Sequence, residues 1–434
     1  MNKTNKNGKF YLALVIFSLV GQVAWVVENM YLNVFIYKMF HATAEQISLM
    51  VAASAVTATV TTLLIGALSD KLGKRKVFIC VGYILWGISI WGFGLIRENT
   101  VHSLFFPMMS SNAAALSLCI QLTIALDCVM TFFGSSANDA CFNAWLTDAT
   151  DETNRGKVEG INAMMPLVAI LVVFGGFMSL DQGLQESWTV IFGVIGAVVV
   201  ALGIAGFFLI RDTGVKREEN QNYFANIIYG FRPGVIRENY KLYIALLGFA
   251  LFNIAIQIFM PYLILYYSVS LGMADYVLIM APAILLAAVF TAIYGRVYDE
   301  RGFRTAVIPA MALLMGGFAV LYFCRDTIPV FVGSLLMMCG YLSGMAVFGA
   351  ALREHTPENK AGMFQGLRIV GQVLIPGIIG PAIGAAVLKN ADTIVNSDGT
   401  TSFVPNENIF LAAFVAAVVV WLVLIPLFKI LKKK

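Results

Sequence analysis

Charged residues are scarce in this chain. Only 12% of its 434 residues are Asp, Glu, Lys or Arg, and 59% are hydrophobic, whereas a soluble domain has roughly 25% charged and 45–50% apolar residues. An excess of apolar side chains on this scale does not fit into one soluble core, so a lipid bilayer must surround most of them. The scarcity of charge therefore excludes an ordinary soluble protein.

Histidine and cysteine are also few. The three histidines are far apart in the sequence, and the six cysteines show no metal-binding or redox spacing. We interpret the cysteines as small packing residues that form no structural disulfide. The sequence also has no phosphate-binding loop or other nucleotide-binding motif. These absences argue against an enzyme, against ATP as an energy source, and against a bound metal or cofactor.

The chain instead has long apolar segments. Twelve of them reach the roughly 20 residues that a helix needs to cross a bilayer. Their predicted limits are 10–37, 47–68, 76–96, 116–147, 159–180, 188–210, 242–268, 275–294, 305–324, 328–352, 366–388 and 409–428. No cleavage site ends the first segment, so we interpret it as an uncleaved span. The sequence predicts an all-α membrane protein with 12 transmembrane helices.

The distribution of Lys and Arg predicts the orientation of these spans. If the N-terminus lies inside, 25 of the 29 basic residues fall in inner segments and four fall in outer ones. The outer four are Lys38, Arg97, Arg325 and Lys389. Because basic residues accumulate on the cytoplasmic side, we expect both termini to be cytoplasmic in a multi-pass protein of the plasma (inner) membrane. The same count leaves no Lys or Arg deep inside a span.

Two inner hairpins repeat one motif. The segment Gly66–Arg75 reads G-x-x-x-D-x-x-G-x-R, and Gly295–Arg304, 229 residues later, reads the same. A second pair of loops, 150–160 and 356–366, reads T-x-E-x-x-x-G-x-x-[E/Q]-G. Matched loops at matched places indicate that the chain is a duplication of one helical bundle, an arrangement found in many transporters.

The duplication predicts the domain organisation. We expect two pseudo-symmetric six-helix bundles, residues 1–210 and 242–434, joined by a cytoplasmic linker at 211–241. Apolar residues at helical spacing within 223–231 suggest a short helix on the membrane surface. A solvated linker without that helix is the alternative.

Two acidic side chains fall deep inside predicted spans, Glu28 in the first and Asp127 in the fourth. A charge near the bilayer centre costs about 2.5–3.5 kcal/mol on insertion scales, so it needs a reason. Trp25 and Asn29 share a polar arc with Glu28, and Thr131 continues the face of Asp127. With no Lys or Arg in the spans, these acids suit groups that bind and release a proton. The alternative is that they only hold helices together.

Further polar residues extend the candidate site. Asp139 lies nearer the inner end of the fourth span, about 100° around the helix from Asn138 beside it, and we assign it to the inner gate. In the second half, the seventh span offers Asn253, Gln257 and Tyr266, and the eleventh offers Gln372. Carboxylates, amides and aromatic faces together are the groups that bind sugars. Each aromatic ring taken singly also fits packing or an interfacial anchor.

The doubled hairpin resembles the signature loop of the major facilitator superfamily. The resemblance implies two six-helix bundles around a central cavity, which rock to give access to each side of the membrane in turn. It also implies that Asp70 and Arg75, with Asp299 and Arg304 in the second copy, form cytoplasmic contacts that hold the outward-facing state. Alternatively, these charges only fix the topology.

An acid on the first span and another on the fourth resemble the glycoside–pentoside–hexuronide cation symporters, the branch of melibiose-permease-like and sucrose-transporter-like carriers. Glu28–Tyr31 (E-N-M-Y) and Asn138–Asn143 (N-D-A-C-F-N) are similar to this branch. Its sodium-using members also carry acids on the second span. Here 47–68 contains only Ser and Thr as polar groups, which favours protons over sodium as the coupling ion.

The sequence therefore predicts a secondary transporter of a sugar or glycoside, coupled to protons. Its expected partners are a small-molecule substrate and the lipid bilayer, with no nucleic acid, and we expect it to be a monomer. One alternative is a proton-coupled exporter of amphipathic or cationic molecules. Another is a non-transporting sensor or scaffold on the same fold, which would need no protonatable pair.

Overall fold

The computed structural model describes residues 3–107, 112–150, 155–211, 229–356, 366–396 and 399–430. Among these residues, 11 helices are long and apolar enough to cross a membrane, and a shorter apolar helix, Ile161–Phe177, lies at the predicted fifth span. The predicted all-α membrane fold is confirmed. Most of the predicted surface helix at 223–231 and most of the second loop repeat lie outside the described residues.

The helices of the first half carry the labels α1 to α7. Two of them, α1 and α5, contain π-helical turns, in which the backbone is wider than in an α-helix. In chain order they are α1 (Lys3–Val26, the π-helical turn Val27–Tyr31, and Leu32–Phe40), α2 (Ala44–Leu72), α3 (Arg75–Leu95), α4 (Glu98–Phe105), α5 (Ala113–Gly134, the π-helical turn Ser135–Phe142, and Asn143–Asp148), α6 (Arg155–Phe177) and α7 (Gln185–Leu209).

The second half adds α8 to α14 and one short hairpin of strands. In chain order these are α8 (Pro233–Glu238), α9 (Tyr240–Phe259, the 3₁₀ turn Met260–Tyr262, Leu263–Leu265 and the π-helical turn Tyr266–Ser270), α10 (Val277–Tyr298), α11 (Glu300–Phe323), α12 (Thr327–His355), α13 (Gly366–Leu388, with a π-helical turn at Val370–Leu374), β1 (Thr393–Val395), β2 (Thr401–Phe403) and α14 (Asn408–Ile430). The two strands pair antiparallel, with Ile394 opposite Ser402.

The contacts divide the chain into two compact units. The first unit is Met1–Ala42 with Val56–Ile227, and the second is Thr43–Ala55 with Ile228–Lys434. In the first unit, α3 packs along α7 and against α5, and α1 packs against α6 and α7. In the second, α10 and α11 pack against α12, while α9 packs against α12, α13 and α14.

Small residues let the backbones of packed helices approach closely. A Cβ on Gly87 of α3 would lie 2.6 Å from the Gly196 carbonyl oxygen of α7. In the second unit, a Cβ on Gly340 of α12 would lie 2.3 Å from the Leu314 nitrogen of α11. No side chain fits at these distances, so glycine sets the helix spacing in both units.

Each repeated hairpin turns on a glycine with a left-handed backbone. Gly73 has φ 62° and its counterpart Gly302 has φ 75°. Because a side chain disfavours this region of backbone conformation, the second glycine of the motif has a structural reason in both copies. In the second copy, helical backbone extends into the predicted loop 295–304 from both sides, and the break lies at Gly302, where φ and ψ are not helical.

Several features have no counterpart in the sequence prediction. The short helix α4 and the strand hairpin lie in the connections predicted on the outer side. The seventh span is not α-helical throughout, because the 3₁₀ turn Met260–Tyr262 interrupts α9 at Pro261, a residue without a backbone N–H to donate.

Candidate functional site

A polar constellation lies in the first unit, where α1 meets α5. The π-helical turn of α1, Val27–Tyr31, contains Glu28, and that of α5, Ser135–Phe142, contains Asp139. A π-helical turn inserts into an α-helix as a local bulge and redirects the side chains around it, and such bulges are frequent at functional sites. Both predicted acids of these turns are therefore placed by an irregular segment of helix.

Thr131 links Glu28 of α1 to the helix that carries Asp127. The Thr131 hydroxyl donates a hydrogen bond to Glu28 Oε1 at 2.9 Å, and the charge of Glu28 acts on Asp127. Glu28 is 7% exposed and Asp127 only 1%. Asp127 Oδ1 has no hydrogen-bond partner among the described residues. The structure thus buries two carboxyl groups near Thr131, which bonds one of them and lies one helical turn from the other.

A pair of tryptophans lies next to this site: Trp25, about one turn from Glu28 on α1, and Trp86 on α3. The rings of Trp25 and Trp86 are 5.0 Å apart, centroid to centroid. Both rings press on Gly134 of α5, where a Cβ would lie 2.7 Å from Trp86 and 3.0 Å from Trp25. Trp86 is fully buried, and its indole N–H has no partner among the described residues. Asn29 is exposed and its amide donates to the Trp25 carbonyl at 2.8 Å.

Asp139 has its own set of hydrogen bonds. The Ser135 hydroxyl donates to Asp139 Oδ2 at 3.0 Å, and the Asn138 amide approaches Oδ1 at 3.5 Å. The Trp25 indole also lies close to this carboxyl. Tyr83 of α3 donates to the side-chain oxygen of Asn138 at 2.9 Å, which fixes the amide. Asp139 is therefore half-buried within the helix seam rather than set in a loop at the end of α5.

Gly21 makes room for this second set. A Cβ on Gly21 would lie 2.7 Å from Asn138 Oδ1 and 2.8 Å from Tyr83 Oη. Any side chain there would displace one of these two polar groups. The same contacts give α1 and α5 a common register, with Glu28 opposite Thr131 and Gly21 opposite Asn138.

These groups offer acid–base chemistry and hydrogen bonding. A carboxyl group near another carboxyl in an apolar environment exchanges a proton rather than holding a permanent charge. No group of three or more His, Cys, Asp or Glu side chains that could hold a metal ion occurs among the described residues. The carboxyls, the hydroxyl and the indole together can bind a small polar or cationic molecule.

The first copy of the hairpin forms an ion cluster around a buried arginine. Arg75, 4% exposed, forms an ion pair with Asp70 and another with Asp148 at 3.2 Å. Its Nη1 also donates to Ser69 Oγ at 2.5 Å. Two carboxylates and a hydroxyl thus surround one guanidinium, which ties the α2–α3 hairpin to the end of α5.

The second copy is built differently. Arg304 is exposed, and its guanidinium lies 5.5 Å from the centre of the Phe428 ring. Tyr298, which occupies the position of Ser69 in the repeat, donates its own hydroxyl to Glu354 at 2.7 Å. The side chain of Asp299 lies outside the described residues. The sequence motif is symmetric, but the arginines of its two copies have different surroundings.

The predicted site residues of the second unit lie mostly in helix packing. The Asn253 amide donates to the Phe249 carbonyl of its own helix at 2.9 Å, and Gln372 accepts a hydrogen bond from Arg368 at 3.2 Å. Gln257 packs on Gly380, which could not carry a Cβ. The buried ring of Tyr266 packs against the ring of Phe410, with 5.0 Å between the ring centroids. Their assignment to a binding site stays a prediction.

Sequence reasoning missed several polar residues of the first unit. They are Ser69, Tyr83, Trp86 and Asp148. Ser135, in contrast, continues the face of Asp127 and Thr131 that the sequence indicates on the fourth span. Tyr83 and Trp86 carry no such signal, since buried aromatic residues are common in any apolar span.

Comparisons with known proteins agree with this architecture. Similar solved structures include a mutant of the nucleoside transporter NupG (TM-score 0.70, 14% identity, covering 96% of this chain and 99% of that one). The xylose transporter XylE from E. coli has a TM-score of 0.69 at 13% identity, covering 96% and 97% of the two chains. A bacterial homologue of the human lysosomal transporter Spinster has a TM-score of 0.70 at 14% identity, covering 99% and 98%. At such identities these likenesses show the fold alone.

Sequence comparison gives the family. No curated protein sequence matches the chain. The sequence model of one family, described as Major Facilitator Superfamily, matches residues 11–381. With a match over most of its length, the doubled hairpin motif and the two helical units, the chain belongs to the major facilitator superfamily.

Proposed function

We propose that this transporter moves a sugar or glycoside across the plasma (inner) membrane, in symport with protons. The observation that carries the proposal is the pair of buried carboxyls, Glu28 and Asp127, with the Thr131 hydroxyl bonded to Glu28. Lys and Arg are absent from the cores of the spans in the sequence. Protonation is then the simplest way for this site to lose its charge when water leaves it.

Proton binding provides the coupling in this scheme. With both carboxyls charged, closing the site over them would place two like charges in a medium of low dielectric constant. A proton on Asp127 removes that repulsion, and Glu28 stays oriented by Thr131 to accept hydrogen bonds from a substrate. Substrate and proton then favour the same closed state, and each increases the affinity for the other.

A sugar fits the chemistry of the constellation. Sugar hydroxyls pair with carboxylates and amides, and the C–H faces of a sugar ring stack on aromatic rings such as Trp25. Two proteins of similar structure are a D-xylose–proton symporter and a nucleoside transporter, and both kinds of substrate contain a sugar ring. Within the superfamily we assign the chain to the glycoside–pentoside–hexuronide branch, on the residues of α1 and α5 that resemble it.

The ion cluster of the first hairpin serves as a gate in this proposal. Arg75 holds Asp70 and Asp148 together at one end of the unit, which the loop charges assign to the cytoplasm. Such contacts can form and break as a transporter changes state. The exposed Arg304 has no such cluster of described side chains, so we assign the stronger gating role to the first copy.

The test uses purified protein in vesicles with an imposed pH gradient, acidic outside. We expect at least one of radiolabelled melibiose, sucrose, D-xylose and uridine to accumulate above its external concentration. Accumulation should collapse with a protonophore and should not require sodium. If no sugar-containing solute accumulates and the gradient has no effect, the proposal fails.

One observation favours a second candidate. Carboxyls next to an aromatic pair, here Trp25 and Trp86, also recognise organic cations through ion pairing and cation–π attraction. In that case the protein exports cationic molecules in exchange for protons. Efflux of ethidium from the same vesicles, without any sugar accumulation, would favour this candidate over the sugar symporter.

A further inference from the structure

One face of α5 is polar along its whole inner half. Every fourth residue carries a polar side chain, in the order Asp127, Thr131, Ser135, Asp139, Asn143 and Thr147. In a regular α-helix, residues four apart drift by about 40° around the axis, so such a series would turn away from one face. The π-helical turn Ser135–Phe142 holds more residues per turn and compensates for this drift. We call this series the α5 stripe.

Exposure rises steadily along the α5 stripe. Asp127, Thr131 and Ser135 are buried, and Asp139 is half-buried. The two residues that end the series, Asn143 and Thr147, are exposed. A continuous polar face thus leads from Asp127, the most buried carboxyl among the described residues, to the surface of the first unit.

Hydrogen bonds connect neighbouring members of the α5 stripe. Ser135 donates to Asp139 Oδ2 at 3.0 Å, and the Asn143 amide donates to the Asp139 carbonyl at 3.3 Å. At the buried end, Thr131 donates to Glu28 at 2.9 Å. The step from Thr131 to Ser135 spans one helical turn, about 5–6 Å, which is short enough for one bridging water.

Among the described side chains, Asp139 is the last carboxyl before the aromatic part of the seam between α1 and α5. From the register of the two helices it lies about 12 Å further towards the exposed end than Glu28, eight residues along α5 from Thr131. Beyond Asp139 the seam is aromatic. Phe17 stacks on Phe142 with 5.7 Å between ring centroids, and the Trp145 and Phe10 centroids are 5.4 Å apart.

The groups that face Asp139 leave it available for protons. The indole of Trp25 faces it from α1 and the Tyr83 phenol from α3, and no Lys or Arg contacts it among the described residues. The next carboxyl along α5, Asp148, is held in an ion pair with Arg75. Asp139 is therefore the carboxyl on this path that is hydrogen-bonded to Ser135, one helical turn from Thr131, and is also partly exposed.

We propose that Asp139 is the proton-exchange residue between the buried Glu28–Asp127 pair and the solvent at the inner end of α5. This inference rests on the proton coupling proposed above. In the step, an O–H bond of the protonated pair breaks and an O–H bond forms on the Asp139 carboxylate, relayed through hydroxyls and water of the α5 stripe. Asp139 then gives the proton to solvent, and no electrons are exchanged.

The test follows deprotonation directly and needs no substrate. Time-resolved infrared spectroscopy after a jump to alkaline pH reports the carboxylic-acid bands of the reconstituted protein. The bands of the pair are assigned as those lost in Glu28→Gln and Asp127→Asn. We expect these bands to disappear at least about tenfold more slowly in Asp139→Asn than in the wild type, since the substitution removes an acid–base group from the path. Asp139→Glu, which keeps a carboxyl, should restore most of the rate.

A second pair of variants keeps the test valid if Asp139→Asn misfolds. Ser135→Ala removes the hydroxyl that bonds Asp139, whereas Ser136→Ala removes a neighbouring hydroxyl that bonds only the Phe132 carbonyl in the described contacts. We expect slower deprotonation in Ser135→Ala and a wild-type rate in Ser136→Ala. The exposed Asp275→Asn should also behave as the wild type.

The outcomes separate this inference from the proposed function. If the pair's bands appear and titrate, but at the same rate in Asp139→Asn, Ser135→Ala and the wild type, the assignment of Asp139 is wrong and proton coupling stands. If Asp139→Glu is as slow as Asp139→Asn, Asp139 has a structural role and the inference is overturned. If the wild type shows no band that Asp127→Asn or Glu28→Gln removes, the proton coupling itself fails.

Discussion

Thr131 Oγ1 donates a hydrogen bond to Glu28 Oε1 at 2.9 Å, and this bond joins the acid of α1 to the helix that carries Asp127. The bond orients one carboxyl of the pair without neutralising it. A hydroxyl donor suits a carboxyl that must change its protonation state, because a Lys or Arg would hold it charged. The relationship makes Thr131 the positioning residue of the proposed coupling site.

The first prediction concerns this hydroxyl. We expect Thr131→Val, which keeps the shape of the side chain, to reduce proton-driven uptake at least about tenfold, since a hydrogen bond to a charged group is worth about 1.5–3 kcal/mol. The measurement is the initial rate of uptake in vesicles under a fixed pH gradient.

Thr123 of the same helix provides the matched control. It is also buried, but its hydroxyl bonds the Cys119 carbonyl of its own helix at 2.8 Å. Thr123→Val should transport within about twofold of the wild type, because the backbone carbonyl keeps its helical partner. Equal losses in the two variants would show that Thr131 acts only through folding.

The second prediction separates the two glycines of the repeated hairpin. Gly73 and Gly302 have a left-handed backbone, and replacing either by Ala should destabilise the protein by about 1–2 kcal/mol. Gly66 and Gly295 have open space where a Cβ would lie, so Ala there should be neutral or slightly stabilising in the helix. Thermal unfolding of the four variants in detergent measures these differences. A lower melting temperature for Gly66→Ala than for Gly73→Ala would contradict the account.

The third prediction concerns the asymmetry of the two hairpin arginines. Removing Arg75 leaves Asp70 and Asp148 close together without their shared cation, which should destabilise the first unit by about 2–3 kcal/mol. Arg304 is exposed over Phe428, so Arg304→Ala should lose no more than about 1 kcal/mol. Both values come from unfolding of the purified variants, and equal losses would show that the two copies are equivalent.

A pH titration provides an independent check of the Arg75 cluster. The ion pair with Asp70 requires an ionised carboxylate, and burial raises the pKa of Asp70 although Arg75 beside it acts in the opposite direction. The contribution of Arg75 is therefore present at neutral pH and is lost as the pH falls through this raised pKa. The difference in melting temperature between the wild type and Arg75→Ala should therefore shrink in acid. A difference that stays constant into strong acid would show that the cluster does not act through its charges.

Some of this architecture is readable from the sequence, and the reason is periodicity. Apolar segments of membrane length predict the spans, and the paired motifs predict two similar halves. Glu28 and Asp127 are recognisable because an acid in an apolar span needs a reason. The hydrogen bond from Thr131 that links Glu28 to the helix of Asp127 cannot be predicted in this way, because it depends on which helices pack together and in what register.

Asp139 shows why the remaining features escaped prediction. Sequence reasoning assumed a regular α-helix and therefore turned Asp139 away from the polar face of α5. The π-helical turn changes that geometry, and no sequence signal of comparable strength announces such a turn. The difference between Arg75 and Arg304 was equally hidden, because it depends on neighbours such as Asp148 and Phe428 from distant parts of the chain.

The most direct measurement of the central claim is proton movement during substrate entry. Vesicles containing a pH-sensitive dye receive melibiose, sucrose, D-xylose or uridine from outside without an imposed gradient. We predict that at least one of them acidifies the interior of wild-type vesicles, and that Asp127→Asn and Glu28→Gln abolish the acidification. Wild-type acidification that persists unchanged in both variants would contradict the account, as would substrate entry into wild-type vesicles with no proton movement at all.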